Sequence, residues 1–365
     1  MGILKVAGGK LVASLGGLGV LLGLGGCGSS TNTEKATSAV TPDAGGGGDA
    51  GPPGVCQSGD RKPCSSFVTP TGTMIPLGEY GAIMEPNVGT GFENPLNAAQ
   101  GDAPGASQTF CQGFAGIFNQ SQKLTSDLLN TNQDGIDLNF ALYTVYRPAT
   151  WPAGPIPILT WGNGTCAQPE GYGALLRYVA SYGFFVIAAN SREVGTGADM
   201  LKALDYAAHA NADSSSPYYK KLDTTRIGAM GHSQGSMATA SAASDSRVKD
   251  VILFNGGDTA PKPYLAVSGD TDITNYTPAA MASAINGEPK AAWLFFHMVP
   301  NTGNINGHLT LMLQPERVTG PTVAWWKMVF EKDSASTAEF VGANCGLCNM
   351  TSEFEFGEHG LEGGD

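Results

Sequence analysis

The stretch Gly231-His232-Ser233-Gln234-Gly235 is where this chain could do covalent chemistry. It matches G-x-S-x-G, the pattern of a nucleophile elbow, in which a serine sits on a turn between a strand and a helix. The spacing has a steric reason. Because the turn is tight, the residues two before and two after the serine must lack bulk, and the serine is held in strained backbone with its hydroxyl above the sheet. The flanks fit, since Arg226-Ile227-Gly228-Ala229-Met230 reads as a strand and Ser236 to Ala243 as a helix of small residues. That helix would turn its N-terminal N–H groups and positive dipole end toward a developing oxyanion.

A serine hydroxyl is a weak nucleophile until a base takes its proton, and the base needs a carboxylate to orient it. On such a fold the chain order is Ser, acid, His. Downstream of Ser233, the strand Tyr264 to Ser268 leads into Gly269-Asp270-Thr271-Asp272. Asp272 is the expected acid, because the first positions after the strand form the turn and leave the later one to reach back. Asp270 reads instead as a turn aspartate bonding its own backbone, and Asp258 stands third. Among the histidines after Ser233, His297 lies in an apolar run and reads as a satisfied core residue. His359 lies in an acidic, glycine-rich tail. His308 follows the last expected strand on a loop, where the base belongs, and it is the expected base. His232 adjoins the nucleophile and is expected to pack beside the elbow. Oxyanion donors are expected from Gln234 N–H and from the loop Gly162-Asn163-Gly164-Thr165, with Asn163, Gly164 and Thr165 left as alternatives.

The elements that must carry these residues alternate in type, which predicts βαβ units and a mostly parallel sheet. Strands are expected at Phe140 to Tyr146, Ile156 to Trp161, Phe184 to Ala189, Val251 to Phe254 and Trp293 to Phe296, besides the two already named. Helices are expected at Tyr172 to Ser181, Gly197 to Ala210 and Val323 to Phe330. The sequence therefore predicts an α/β-hydrolase fold, a mostly parallel central sheet flanked by helices, with an irregular N-terminal extension.

The rest of the 365 residues divides by composition. Residues 1–27 read as an export signal: Lys5 and Lys10 precede an uncharged stretch, and Leu24-Gly25-Gly26-Cys27 resembles a lipobox whose cysteine would carry a lipid anchor. One acyl chain holds a protein only weakly, so stable anchoring takes more than one. Residues 28–55 read as a Gly/Ser/Pro-rich tether, 56–134 as the Cys-containing extension, 135–348 as the catalytic domain and 349–365 as an acidic tail. The chain is expected to be exported and monomeric, touching membrane only through Cys27. A net charge of −12 argues against nucleic acid as a partner, since phosphate binding draws on clustered Lys and Arg. Asn130 to Ile136 copies the first half of an EF-hand loop, but Ala141 stands where the bidentate Glu belongs, so a turn is expected there. Neither metal nor cofactor is expected, and Cys345-Gly346-Leu347-Cys348 is expected to be structural rather than redox-active.

With these residues in hand, the chain resembles the cutinase-like polyester hydrolases, the PET hydrolase relatives in the dienelactone-hydrolase group of the α/β-hydrolase superfamily. The carriers are Trp161-Gly162-Asn163-Gly164-Thr165, the run Val179 to Ile187, the Ser233 pentapeptide, Ser268-Gly269-Asp270-Thr271-Asp272 and Val323-Ala324-Trp325-Trp326-Lys327. The resemblance implies ester or polyester substrates, with nucleophile, acid and base on Ser233, Asp272 and His308. Those relatives carry an aromatic residue in the first oxyanion loop and a tryptophan after the strand that follows the elbow helix. Here the matching stretches are Asn163-Gly164-Thr165 and Phe254-Asn255-Gly256-Gly257, which implies a more open subsite for smaller acyl groups.

Besides Cys27 there are six cysteines, Cys56, Cys64, Cys111, Cys166, Cys345 and Cys348. In an exported chain an even set predicts three disulfides, with 15 possible pairings. Thiol titration in denaturant without reductant should find at most one free thiol per mature chain. A larger number contradicts the three-bridge framework.

Overall fold

A computed structural model of the protein describes residues 54–57, 60–89, 142–191, 194–257, 259–297, 307–350 and 352–361. The expected signal, most of the tether, Cys27, Cys111 and the EF-hand-like turn lie outside them.

The strands of the described residues are β1 (Gly54–Cys56), β2 (Cys64–Val68), β3 (Met74–Pro76), β4 (Ala82–Val88), β5 (Tyr143–Pro148), β6 (Ile156–Gly162), β7 (Phe185–Ala189), β8 (Leu222–His232), β9 (Val248–Phe254), β10 (Tyr264–Gly269), β11 (Ala291–Phe296) and β12 (Phe354–His359). They join in one sheet in the order β1-β2-β4-β5-β7-β6-β8-β9-β10-β11-β12, with β3 paired to β2. From β7 through β11 every pairing is parallel, while β5 and β12 run antiparallel to their inner neighbours.

Period-two alternation decides which side chains meet which layer. Leu159 and Trp161 of β6, Val186 and Ala188 of β7, and Leu294 and Phe296 of β11 face one side. They pack against α1 (Gly173–Ala180), α5 (Thr310–Leu313), α6 (Glu316–Glu331) and α7 (Ser334–Phe340). Ile156, Ile158, Phe185, Ile187, Trp293 and Phe295 face the other side. There they meet α2 (Ala198–Ala212), α3 (Gln234–Ala242) and α4 (Pro278–Ile285). Both faces are buried, so these strands read as continuous apolar runs. The architecture is α/β, a mostly parallel mixed sheet covered by helices. No helix of the described residues is long and apolar enough to cross a membrane.

Four local expectations differ from the structure. The extension is not irregular where it is described, because β1 to β4 extend the sheet beyond β5. The expected acidic tail contains β12, which closes the other edge on β11 with Phe354 and Phe356 opposite Phe296 and Leu294. Charged residues alternating with these aromatics hid a half-buried edge strand. β8 begins at Leu222 rather than Arg226, since Asp223-Thr224-Thr225 is a polar strand end with no apolar signature. Finally, α6 begins at Glu316 rather than Val323, because Gly320 and Pro321 obscured its first turns.

Two disulfides join described residues, Cys56–Cys64 between β1 and β2, and Cys345–Cys348 after α7. Cys166 is also disulfide-bonded.

One buried group is held at a cost. Asp250, inside β9, is buried and accepts a hydrogen bond from Trp325 Nε1–H at 2.7 Å. Burial pushes its carboxyl pKa well above the ordinary value, although the Trp325 bond, the Val251 N–H and Lys332 oppose the shift. The folded state therefore holds a proton that the unfolded chain releases above about pH 4. Stability from this group is undiminished below that pH and falls as pH rises. Asp250→Asn keeps the acceptor for Trp325 and removes the ionisation. Thermal melts should show the variant gaining on the parent between pH 5 and pH 8, whereas a pH-independent difference contradicts the assignment.

Candidate active site

β8 runs out at His232 and α3 starts at Gln234, leaving Ser233 alone to turn the chain. Its backbone lies at φ 56° and ψ −118°, a region that costs a residue with a Cβ about 1–3 kcal/mol. The strain persists because neighbouring backbone leaves no alternative. Ser233 N–H donates to Phe254 O at 2.8 Å, and Ser233 O accepts from Ser236 N–H at 2.9 Å. A Cβ on Gly231 would lie 2.3 Å from Gly235 O, and one on Gly235 would lie 2.0 Å from Gly162 O. The small residues of α3 have the same origin: Gly235, Ala238 and Ala242 are buried where the helix crosses β6 and the chain at Gly197.

Against Ser233 stands His308, on a 3-10 turn (Gly307–Leu309). Its Nε2 is 2.9 Å from Ser233 Oγ, and its Nδ1 is 2.8 Å from Asp272 Oδ1. Gly307 must precede it, since a Cβ there would sit 2.0 Å from Asp270 O. Asp272 is buried at the end of the turn that follows β10, where Thr271 takes φ 60°. Besides the imidazole, its carboxylate accepts from Thr274 N–H at 3.0 Å, Ser268 Oγ–H at 3.0 Å and the Asn255 side-chain amide. Burial raises the Asp272 pKa, but the His308 hydrogen bond and charge, with the Thr274 and Asn255 donors, outweigh burial and hold it at about 2. The carboxylate is therefore ionised across the working pH range and takes the Nδ1 proton of His308 as a hydrogen bond, leaving Nε2 bare toward the hydroxyl.

The structure thus brings Ser233, His308 and Asp272 together and leaves the other described candidates apart. Asp258 lies outside the described residues. Asp270 faces His297, with Oδ2 3.3 Å from Nδ1. His297 is not the buried core histidine expected from its apolar run. It is partly exposed at the end of β11, between Asp270 and Glu355. His359 is exposed and bonds Glu288 O.

The oxyanion expectation is narrowed at one of its alternatives, Gly164. Gly164 N–H donates to Tyr172 Oη at 3.0 Å and is not available to substrate. The Asn163 amide is fully buried, donating to Ala189 O at 2.7 Å and Ser191 O at 2.9 Å while accepting from Trp161 Nε1–H. It braces the loop. Gln234 N–H opens α3 and has no carbonyl within its own helix to bond, and Gln234 Oε1 accepts from Val194 N–H.

Three contributors escaped the reading of the sequence. Asn255 and Ser268 lie at the ends of the strands flanking Asp272, and Asn255, at φ 53° just after β9, carried a signal in its tolerance of left-handed backbone. Tyr172 carried none, because an aromatic residue at a helix start reads as core. His232 does pack beside the elbow, bonded to Tyr172 and to His308 O. Burial, then the neighbouring His308, lower its pKa to about 3, so it stands neutral. Among the described residues, no cluster of His, Cys, Asp or Glu could hold a metal ion.

One comparison with known proteins found a likeness. A family model described as PETase, PET hydrolase-like, matches residues 164–285, a span holding the elbow and Asp272 and ending before His308. No curated protein sequence matches the chain significantly. The match makes the chain similar to ester-cleaving hydrolases over about a third of its length.

Proposed function

We propose that the protein is an exported serine esterase that cleaves carboxylic esters, short-acyl or polyester, through an acyl-enzyme. The observation that carries this reading is the Oγ–Nε2 distance of 2.9 Å in line with an Nδ1–Oδ1 distance of 2.8 Å.

As Ser233 Oγ attacks the ester carbonyl, its proton passes to His308 Nε2, and Asp272 stabilises the imidazolium that forms. The carbonyl π pair moves onto oxygen, and that oxyanion is met by Gln234 N–H and, with Gly164 engaged elsewhere, by Thr165 N–H. Collapse expels the alcohol, which takes the proton from Nε2, and leaves the acyl group on Oγ. Water repeats the sequence, releasing the acid and restoring the hydroxyl. Two exposed apolar side chains, Met237 on α3 and Ile273 beside Asp272, support an apolar ester surface as substrate. The stretch Asn255-Gly256-Gly257, with no tryptophan after β9, supports an open subsite for small acyl groups. Three disulfide-bonded stretches of chain favour an oxidising compartment, in keeping with the export signal, and the Cys27 anchor belongs to the same proposal.

Ser233→Ala should abolish turnover of p-nitrophenyl acetate and butyrate, by about 10³-fold or more, with the melting temperature preserved. Retained turnover rejects the proposal. Between pH 5 and pH 8 Asp272 stays ionised and His232 stays neutral, so one imidazole alone should govern the acid side. kcat/KM should fall on acidification as a single protonation, that of the base. A flat profile would point to another base.

A further inference from the structure

A buried chain of hydrogen bonds runs behind the candidate triad without touching its reacting atoms. Gly164 N–H lies 3.0 Å from Tyr172 Oη, Tyr172 Oη lies 2.8 Å from His232 Nδ1, and His232 Nε2 lies 2.7 Å from the backbone oxygen of His308. Tyr172 is fully buried and His232 nearly so.

The direction of every bond follows from the ends inward. The backbone oxygen of His308 can only accept, so His232 Nε2 carries the hydrogen. A neutral imidazole has one N–H, and His232 is neutral because burial depresses its pKa, so Nδ1 is bare and must accept. Tyr172 must therefore donate to Nδ1, and its remaining lone pair takes the Gly164 N–H. Each link serves one donor and one acceptor. The packing is equally exacting, since a Cβ on Gly164 would lie 2.8 Å from His232 Nδ1 and 2.9 Å from Tyr172 Oη. The rings follow the same line, tilted against one another by 58° and 48°, with centroids 5.5 Å apart for Tyr172–His232 and 4.7 Å apart for His232–His308.

We propose that Tyr172 and His232 are positioning residues that tie the 163–165 loop to the backbone of His308, fixing the spacing of oxyanion donor and base around Ser233. This rests on the esterase reading. By engaging Gly164 N–H, Tyr172 sets the turn of the loop and leaves the following N–H, that of Thr165, for substrate. By holding the His308 carbonyl, His232 fixes the imidazole along the Ser233–Asp272 line. Neither end can shift without the other, because the two bonds share one imidazole. A displacement of about 1 Å in either partner is enough to cost about 10²-fold in rate.

The test compares Tyr172→Phe, His232→Leu, their double variant and His232→Gln on p-nitrophenyl butyrate. The relay predicts that each of the first two lowers kcat by about tenfold or more, with KM changed less than about threefold. The double variant should lose little more than the worse single, because residues that act as a unit are non-additive. His232→Gln keeps an acceptor and a donor and should recover most of the loss. Multiplicative losses, losses confined to KM, or parental kcat in Tyr172→Phe overturn the relay. Should His232→Leu fail to fold, long-range ¹⁵N–¹H spectra of Ser233→Ala provide a readout free of activity. A bare Nδ1 and protonated Nε2 on His232 support the relay, and the opposite tautomer overturns it. The esterase reading fails separately, if Ser233→Ala retains turnover.

Discussion

The structure depends on one strained turn. Ser233 sits at φ 56° because β8 must hand over to α3 within a single residue, and this backbone lifts the side chain off the sheet toward His308. The strain is maintained by close packing rather than by any strong bond. Gly231, Gly235, Gly162 and Gly256 bring four stretches of main chain to within distances that a Cβ would forbid. The surrounding core, buried on both faces of the parallel sheet, makes relaxing the turn more costly than keeping it.

The second constraint is electrostatic. Asp272 is buried, and an isolated carboxylate there would rather hold a proton. Donors from His308, Thr274 and Asn255 reverse that preference. Asp250 is the contrasting case. It is equally buried, but with fewer donors its carboxyl pKa rises. Two buried aspartates, one in β9 and one in the turn after β10, are thus driven to opposite protonation states by their hydrogen-bond partners, and the ionised one lies beside the imidazole.

Much of this was legible in the sequence where chemistry and sterics act over short range. The elbow announced itself through glycine spacing and small-residue flanks, and the apolar runs of β6, β7, β10 and β11 were visible because both sheet faces are covered. Asp272 and His308 could be picked from chain order and the ends of strands. What stayed hidden depends on contacts between residues distant in sequence. Tyr172 and His232 lie 60 residues apart, and nothing in either neighbourhood marks their hydrogen bond. Strands outside the apolar centre of the sheet were missed for another reason: β2, β4 and β12 are only partly buried, and their mixed polarity resembles that of loops. The engagement of Gly164 was likewise invisible, since a glycine loop reads as a set of available N–H groups.

The most direct test of the strained, base-activated Ser233 is its stoichiometric reaction with diethyl p-nitrophenyl phosphate. Attack by Oγ on phosphorus expels p-nitrophenolate, so one equivalent of the dye should be released per chain, and peptide mapping should find the diethylphosphoryl group on Ser233. No stoichiometric release, or a label on Ser236 or Ser268 instead, would contradict the account.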